Sequence, residues 1–278
     1  MGAITSLSDL INKLTNGSAQ HYNVFIDNRV DAAAATNPAS GTTASLWRYN
    51  KSTGASGLVP PTGSGEAPTR LTLGALRHTN AASGKELWLT GIEVLSLQAG
   101  ILFLYDRLFH CRGLSGIVTS AQAVNSVPLT RSTGGVGNQI WLEIYTTIGA
   151  TVTTITVTYV NQAGVTRTTP PVVWGGTNVR EQDRLIRLPL DDGDTGVQGI
   201  VSVQQTASTG TAGDFGVTIA KPMTRGFVEG PNCAAFRDLL TGIPAAVTIP
   251  DDACLALMWQ AVTTVSPRID FTYHAVEA

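Results

Sequence analysis

Charge is scarce in this sequence. Asp, Glu, Lys and Arg make up 14% of its 278 residues, against roughly 25% in an average soluble domain, and the mean hydropathy is +0.12. The net charge is −2, and no local cluster of Lys and Arg supplies the positive surface that binds nucleic acid, so we expect no direct contact with DNA or RNA. A chain this poor in charge is expected to cover part of its surface with other protein chains.

Cysteine is also rare, and its spacing excludes two classes of protein. Cys111, Cys233 and Cys254 lie far apart, in an odd number and without the paired spacing of metal ligands, so neither a disulfide framework nor a zinc site is expected. We interpret all three as small core residues of a protein made in a reducing cytoplasm.

Long apolar runs are absent as well. No stretch reaches the ~18 residues that a membrane helix needs, and the first residues lack the basic stretch and apolar core of a secretory signal. Met1, Gly2 and Ser6 fit the loose N-myristoylation pattern, but a role of Ser6 in capping a helix explains it better. We therefore expect no membrane partner.

Motifs of enzymatic catalysis are missing too. The four histidines form no metal-binding helix motif, and no nucleophile elbow occurs. His110 and Cys111 are adjacent, but neighbours on an extended chain point to opposite faces and are badly placed to share a proton. Gly134, Gly135 and Gly137 are not followed by the Lys and Ser or Thr of a phosphate-binding loop. We expect no enzymatic activity and no cofactor.

One loop does gather carboxylates. Asp191, Asp192 and Asp194 stand beside Gly193 and Gly196, and a hard cation such as calcium accepts oxygen ligands of this kind. The run lacks the EF-hand spacing and its final Glu, and polar turns of this composition are common. We prefer a solvated turn, and the sequence leaves cation binding open. Acidic residues elsewhere are sparse, which disfavours a carboxylate pair for glycoside hydrolysis.

Alternation of apolar and polar residues dominates the middle of the chain. Residues 140–145 and 154–159 alternate with a period of two, which predicts strands with one buried face. Residues 161–164 supply turn chemistry, so a returning strand up to Val173 is expected to complete an antiparallel hairpin. Because Pro170 and Pro171 cannot donate to a ladder, this strand should lie at a sheet edge or end early.

The remaining segments extend the same pattern. Strands of this spacing predict an all-β fold, an antiparallel β-sandwich of the jelly-roll type, in which residues 232–240 form a short helix. We predict an N-terminal helix and extended arm over 1–86 and the sandwich domain over 87–278. The further strands are predicted at 87–97, 101–108, 184–190, 199–206, 215–220, 254–262 and 268–276.

The N-terminal helix is predicted over residues 6–16. Ser6 can cap its first turn and Gly17 can end it. Its apolar stripe must dock either on its own domain or on a neighbouring subunit. The residues of the stripe, which recur at helical spacing, are Leu7, Leu10, Ile11 and Leu14.

Residues 31–66 have the composition of an arm, rich in Ala, Ser, Thr, Gly and Pro. Within them Leu46, Trp47, Arg48 and Tyr49 form an isolated aromatic cluster. Burying one large apolar side chain contributes about 1.5–3 kcal/mol, so this cluster is too costly to leave in water. We predict that Trp47 and Tyr49 anchor the arm, either on its own domain or on another chain.

Several short stretches, spread over most of the chain, carry a family resemblance. They are residues 4–17, LWRY at 46–49, LYDRL at 104–108, HC at 110–111, GLSG at 113–116 and GNQIWLEIY at 137–145. In these stretches the chain resembles a family of tailed-bacteriophage virion structural proteins. The resemblance implies a non-enzymatic component of the virion, assembled in the host cytoplasm, and plausibly a capsid decoration or cement protein.

We hypothesise from this resemblance that the chain clamps across capsid subunits. Leu7, Leu10, Ile11 and Leu14 would be the docking face, Trp47 with Tyr49 the anchor of the arm, and the major capsid protein and further copies of this chain the partners. Many weak contacts around a symmetric lattice add by avidity.

Two other classes of protein stay open. A tail or fibre component uses similar β domains. A carbohydrate-binding adhesion module could use an exposed Trp174 or Trp88 as a sugar platform, although the alternation predicts that at least one of these side chains is buried.

Overall fold

The computed structural model describes residues 4, 6–16, 18–27, 39–50, 57–177, 179–239, 247–264 and 268–278. Within these ranges strands predominate, which confirms the all-β prediction. One α-helix, α1, spans Leu7–Thr15, and Trp47–Tyr49 form a 3-10 turn. The strands are β1 (Ala19–Asp27), β2 (Thr43–Ser45), β3 (Leu87–Ser96), β4 (Gly100–His110), β5 (Gln122–Ala123), β6 (Gln139–Thr146), β7 (Thr153–Asn161), β8 (Thr166–Thr168), β9 (Val172–Trp174), β10 (Arg184–Leu188), β11 (Val197–Gln205), β12 (Asp214–Val228), β13 (Cys233–Asp238), β14 (Val247–Ile249), β15 (Leu255–Ala261) and β16 (Arg268–Glu277).

Two open sheets pack on the two sides of a closed barrel. The central barrel has the strand order β10-β2-β15-β4-β12-β6. The terminal sheet has the order β1-β16-β3-β13, with β14 also paired to β3, and the hairpin sheet has the order β5-β11-β7-β8, with β9 also paired to β7. The strand pairs are antiparallel.

Apolar side chains fill both spaces between the layers. Phe271 of the terminal sheet packs with Leu257 and Trp259 of the barrel in one buried cluster. Val157 of the hairpin sheet packs with Leu142 of the barrel in another. This layered packing of sheet on sheet is the sandwich that the spacing of the strands predicts.

Strand β6 differs from its prediction, because both of its faces are buried. Ile140, Leu142 and Ile144 pack toward the hairpin sheet, as expected. Trp141, which alternation would place in water, is buried in a separate cluster with Tyr105 of β4. The barrel closes over the second face of β6, so its alternation separates two interiors rather than an interior and a surface.

The hairpin of β7 and β8 confirms its prediction. Thr158 pairs with Thr168 across the two strands, and the turn is closed by a hydrogen bond from the Gly164 amide to the Asn161 carbonyl (3.0 Å). Gly164 has φ of +77°, which glycine adopts without strain. Pro170 and Pro171 separate β8 from β9 at the edge of the sheet, where the missing donors cost least.

Helix α1 also begins as predicted. The Ser6 side chain caps the helix by accepting a hydrogen bond from the Asp9 amide (3.1 Å). Lys13 and Asp9 form an ion pair one turn apart (3.3 Å). Gly17, the predicted end of the helix, lies outside the described residues.

The predicted helix over 232–240 is wrong. Cys233–Asp238 form β13, paired with β3 from Ser96 to Gly91. Asn232 has φ of +60°, which a right-handed helix does not accommodate, and the free edge of β3 supplies backbone partners that outweigh the local helical pattern. Leu240 lies outside the described residues.

Two strands that the sequence analysis did not predict lie in the N-terminal stretch. β1 pairs with β16 along its whole length, and β2 fills the gap between β10 and β15 that closes the barrel. Described residues before position 86 therefore contribute to two of the three layers. The division of the chain at residue 86 stays a prediction.

Candidate interaction surface

The predicted docking face of α1 is divided between the interior and the surface. Leu10 is 8% exposed, whereas Leu7, Ile11 and Leu14 are 54%, 50% and 39% exposed. The helix contacts β1 and β16, so it docks on its own terminal sheet through Leu10. The other three side chains form an exposed apolar stripe, called here the helix surface.

The aromatic anchor of the arm is enclosed by its own chain. Trp47 is 1% exposed and Tyr49 is 4% exposed. The Trp47 indole donates to the Leu58 carbonyl (2.9 Å), and the Tyr49 hydroxyl donates to Asp183 Oδ2 (2.7 Å). The structure therefore has the intramolecular form of the anchor, and these two side chains are not available to a partner, contrary to their predicted role in the clamp. Burial raises the pKa of the Asp183 carboxyl to about 6.

The Trp47 ring lies against a buried ion pair inside the barrel. The Arg107 guanidinium is 4.7 Å from the ring centre, and its Nη2 donates to Glu143 Oε2 (2.5 Å). Thr218 and Tyr145 donate to the same oxygen at 2.9 and 3.2 Å. Burial opposes the charge of Glu143, but the charge and hydrogen bond of Arg107, together with hydrogen bonds from Ser45 and Thr218, lower the pKa of the carboxyl below its ordinary value. Both partners are therefore charged.

A hydrogen-bonded chain links this pair to the surface. Arg107 Nε donates to His110 Nδ1 (2.8 Å), so His110 carries its proton on Nε2, 2.5 Å from Glu66 Oε1. Burial, together with the Arg107 charge, lowers the pKa of His110 to about 4. His110 is thus a neutral donor to the half-exposed Glu66 at neutral pH, and its bond to Glu66 ties the segment before β3 to β4.

A second buried ion pair braces the other side of β4. Arg131 donates through Nε and Nη2 to the two oxygens of Asp106, each at 3.0 Å. Asp106 also accepts from the Cys254 amide (2.9 Å). Bidentate pairs of this kind fix geometry as well as charge, so Asp106 connects β4, β15 and the loop before β6.

The stretches that carry the family resemblance supply much of this interior. Trp47 belongs to LWRY, Arg107 to LYDRL, His110 to HC and Glu143 to GNQIWLEIY. Each charged group among them is paired inside or at the rim of a closed barrel. The arrangement holds strands together, so these four side chains belong to the framework of the fold, whereas residues 4–17 carry the exposed helix surface.

The acidic loop has its own hydrogen bonds. Asp194 accepts from the Tyr159 hydroxyl (2.5 Å) and from Asn161 Nδ2 (2.7 Å), and the bond from Tyr159 is the main reason that the pKa of Asp194 is lowered. Across the parts of the chain that the structure describes, no group of three His, Cys, Asp or Glu could hold a metal ion. The calcium idea gains no support from this geometry.

Other predicted side chains take definite places. Trp174 is fully buried and donates to Gln205 Oε1 (3.1 Å), which confirms that at least one of the two tryptophans is buried and excludes Trp174 as a sugar platform in this fold. Cys111 and Cys254 are buried as predicted. Cys233 is exposed, so its assignment to the core is wrong, because its strand lies at a sheet edge.

The sequence analysis missed exposed aromatic residues on and beside the terminal sheet. Phe25, Phe227 and Phe236 are about half exposed. Phe236 lies within 232–240, for which a helix was predicted. In the structure it pairs with the exposed Glu93 of β3, which places it on the outer face of the sheet, and this strand register is not visible in the sequence.

Comparison with known proteins gives little. No family model and no curated protein matches the chain. Solved structures of infectious bursal disease virus are weakly similar: the Gt strain structure (10% identity, 93% of this chain and 80% of that chain covered, TM-score 0.19) and the VP2 subviral particle (9%, 93% and 80%, 0.17). Scores this low do not establish a shared fold. Among the described residues no helix is long and apolar enough to cross a membrane.

Proposed function

We propose that this chain is a non-enzymatic structural subunit of a bacteriophage particle, specifically a capsid decoration or cement protein. The helix surface carries the proposal. Leu7, Ile11 and Leu14 stand in water on a helix that its own chain holds through Leu10. An apolar stripe on a terminal helix is the form in which groove-binding helices present their anchors.

The size of this surface suits a contact that is repeated many times. Full burial of one large apolar side chain contributes about 1.5–3 kcal/mol, and about half of each of the three side chains is already covered. Covering the rest would contribute roughly 2–4 kcal/mol per copy. This is too weak to hold one molecule, but sufficient where many copies attach to a symmetric lattice and add by avidity. The partners we propose are the major capsid protein and other copies of this chain.

The framework also fits a structural role. Buried ion pairs at Arg107 and Asp106 tie strands from distant parts of the sequence, and Trp47 and Tyr49 lock the predicted arm onto the barrel. A rigid body of this kind presents its helix at a constant position. The low charge of the chain further supports a surface that other chains cover.

The proposal is tested by measuring how fully matched variants of this protein attach to phage particles. Leu7→Gln, Ile11→Gln and Leu14→Gln together remove the helix surface. The control variant, Leu58→Gln, Leu71→Gln and Val173→Gln, removes three apolar side chains elsewhere that are somewhat more exposed. We expect the helix variant to lose attachment by roughly 30-fold or more at a limiting concentration, with an unchanged melting temperature, and the control variant to attach normally. Normal occupancy by the helix variant would contradict the proposal.

Electron microscopy of particles that carry labelled protein shows where the protein attaches. We expect the label on the heads, since the proposal names the capsid. Label on the tail would replace decoration by a tail or fibre role. A glycan array tests the adhesion alternative, for which Trp174 is buried and Trp88 half-buried; no binding is the expected result.

A further inference from the structure

A basic pocket opens where the barrel meets the terminal sheet. It has a volume of about 330 Å³. Its walls come from β4, β6, β10, β12 and β13, which are remote from one another in the sequence. The side chains that matter are Phe103, Tyr105, Gln139, Arg187, Arg225 and Arg237.

The positive charge of Arg187 and Arg225 is not neutralised by the lining of this pocket. Among the residues that the structure describes, no Asp or Glu lines it. Arg187 and Arg225 are exposed, and their guanidinium groups form no hydrogen bond or ion pair with any residue that the structure describes. Both lie close enough to Tyr105 to act on its hydroxyl: burial raises the pKa of Tyr105 to about 12, and the two guanidinium groups oppose this rise. In a chain with a net charge of −2, such a concentration of cations favours an anionic ligand.

A second depression, which carries two exposed aromatic rings, adjoins the basic pocket at Arg237. It has a volume of about 500 Å³ and is lined by Phe227 and Phe236, which are 48% and 58% exposed. Among its described lining residues, Glu229 is the acidic one. A ligand therefore has a preferred orientation on the whole surface, because an anionic group fits over Arg187 and Arg225 and is repelled at the end near Glu229.

Arginine and exposed aromatic rings side by side are typical of protein interfaces. Guanidinium groups bind carboxylates with two parallel hydrogen bonds, whereas sites for small molecules usually enclose most of their ligand. We propose that this surface binds an acidic segment of a partner protein, with carboxylates over Arg187 and Arg225 and an apolar side chain against Phe227 and Phe236. This interaction is separate from the helix surface and holds whether or not the chain belongs to a particle.

Peptide binding to the full chain tests the assignment. The probe is a fluorescein-labelled peptide of alternating glutamate and leucine, compared by fluorescence anisotropy with the same peptide carrying glutamine in place of glutamate. The variant Arg187→Gln with Arg225→Gln removes the charge of the pocket. Its matched control, Arg77→Gln with Arg167→Gln, removes two exposed arginines elsewhere.

We expect the glutamate peptide to bind more tightly than the glutamine peptide, and the pocket variant to bind the glutamate peptide about tenfold more weakly or worse, since charge-assisted hydrogen bonds are lost. The control variant should bind as the unchanged protein does. Phe227→Ser with Phe236→Ser should weaken binding of both peptides.

Three results would overturn the proposal. They are equal binding of the two peptides, equal loss of affinity in the pocket and control variants, and binding of inorganic phosphate by the basic pocket with no preference for the glutamate peptide. The last result would make the pocket a site for free anions. All variants change exposed side chains, and their melting temperatures show whether the fold is intact.

Discussion

Replacing Glu143 by glutamine should destabilise this protein strongly. Glu143 lies inside the barrel at 1% exposure and is paired with Arg107, also 1% exposed. Glutamine keeps the shape of the side chain and removes its charge. The Arg107 guanidinium would then stay buried without a counter-ion, and this, rather than a lost contact, is the source of the expected effect.

The magnitude follows from the burial of both partners. Breaking a buried ion pair by removing one charge costs about 3–5 kcal/mol. Glu143 Oε2 also accepts from Thr218 and Tyr145, and an amide oxygen can keep these two bonds, so we do not add their loss. At about 2–4 °C per kcal/mol for a chain of this size, the melting temperature should fall by roughly 10 °C.

Urea unfolding followed by tryptophan fluorescence measures the change, with Lys85→Gln as control. Lys85 forms an ion pair with Glu277 (2.8 Å) but is half exposed, and pairs of this kind contribute at most about 1 kcal/mol. A double-mutant cycle with Arg107→Met and Glu143→Leu separates charge from packing. The double variant should be more stable than the sum of its single variants predicts, because no unpaired charge remains.

Two results would refute this account of the barrel. One is a fall of less than about 1 kcal/mol in the free energy of unfolding of Glu143→Gln, since exposed ion pairs contribute no more than this. The other is additivity of the two single variants, which would mean that Arg107 and Glu143 stabilise the fold independently.

The remaining predictions concern buried and exposed side chains. Trp47→Ala should cost about 3–5 kcal/mol by chemical unfolding and leave particle attachment unchanged when assayed below the melting temperature, because the ring is enclosed by its own chain. Burial and the Arg70 charge lower the pKa of His78 to about 4, so the unfolded state takes up the proton first and stability is lost as the pH falls from about 6.5 toward 4. The free energy of unfolding, measured with urea, should therefore fall between pH 7.5 and pH 5 by about 2 kcal/mol less in His78→Leu than in the unchanged protein. An equal fall in both proteins would contradict this. In thiol titration of the native protein, Cys233 alone should react, since Cys111 and Cys254 are buried and burial raises their pKa values.

Features that depend on neighbours along the chain were predictable. The cap at Ser6, the turn closed by Asn161 and Gly164, and the interruption at Pro170 each follow from the chemistry of a few adjacent residues. The same reasoning failed for 232–240, where apolar spacing indicated a helix. There the positive φ of Asn232 and the open edge of β3 decide the structure, and the edge is formed by residues more than a hundred positions away.

The candidate surfaces were predictable only in part. The apolar stripe of α1 is visible as a pattern, but the pattern does not show that Leu10 turns inward while Leu7 and Ile11 stay in water. Arg187 and Arg225 lie on different strands, β10 and β12, and no spacing links them. Their pocket exists because the barrel brings those strands to the same opening.

By itself the sequence determined the all-β class, the capped helix, the hairpin of β7 and β8, and the apolar identity of one face of most strands. The tertiary structure decided what covers each face. Alternation separates two faces of a strand without specifying whether water, a sheet or the inside of a barrel lies beyond them. Trp141 and Glu143 became interior residues, and Trp47 an internal anchor, because β2 closes the barrel between β10 and β15. No local pattern records these pairings, since Ala44 pairs with Arg184 and with Trp259, which are more than a hundred positions away.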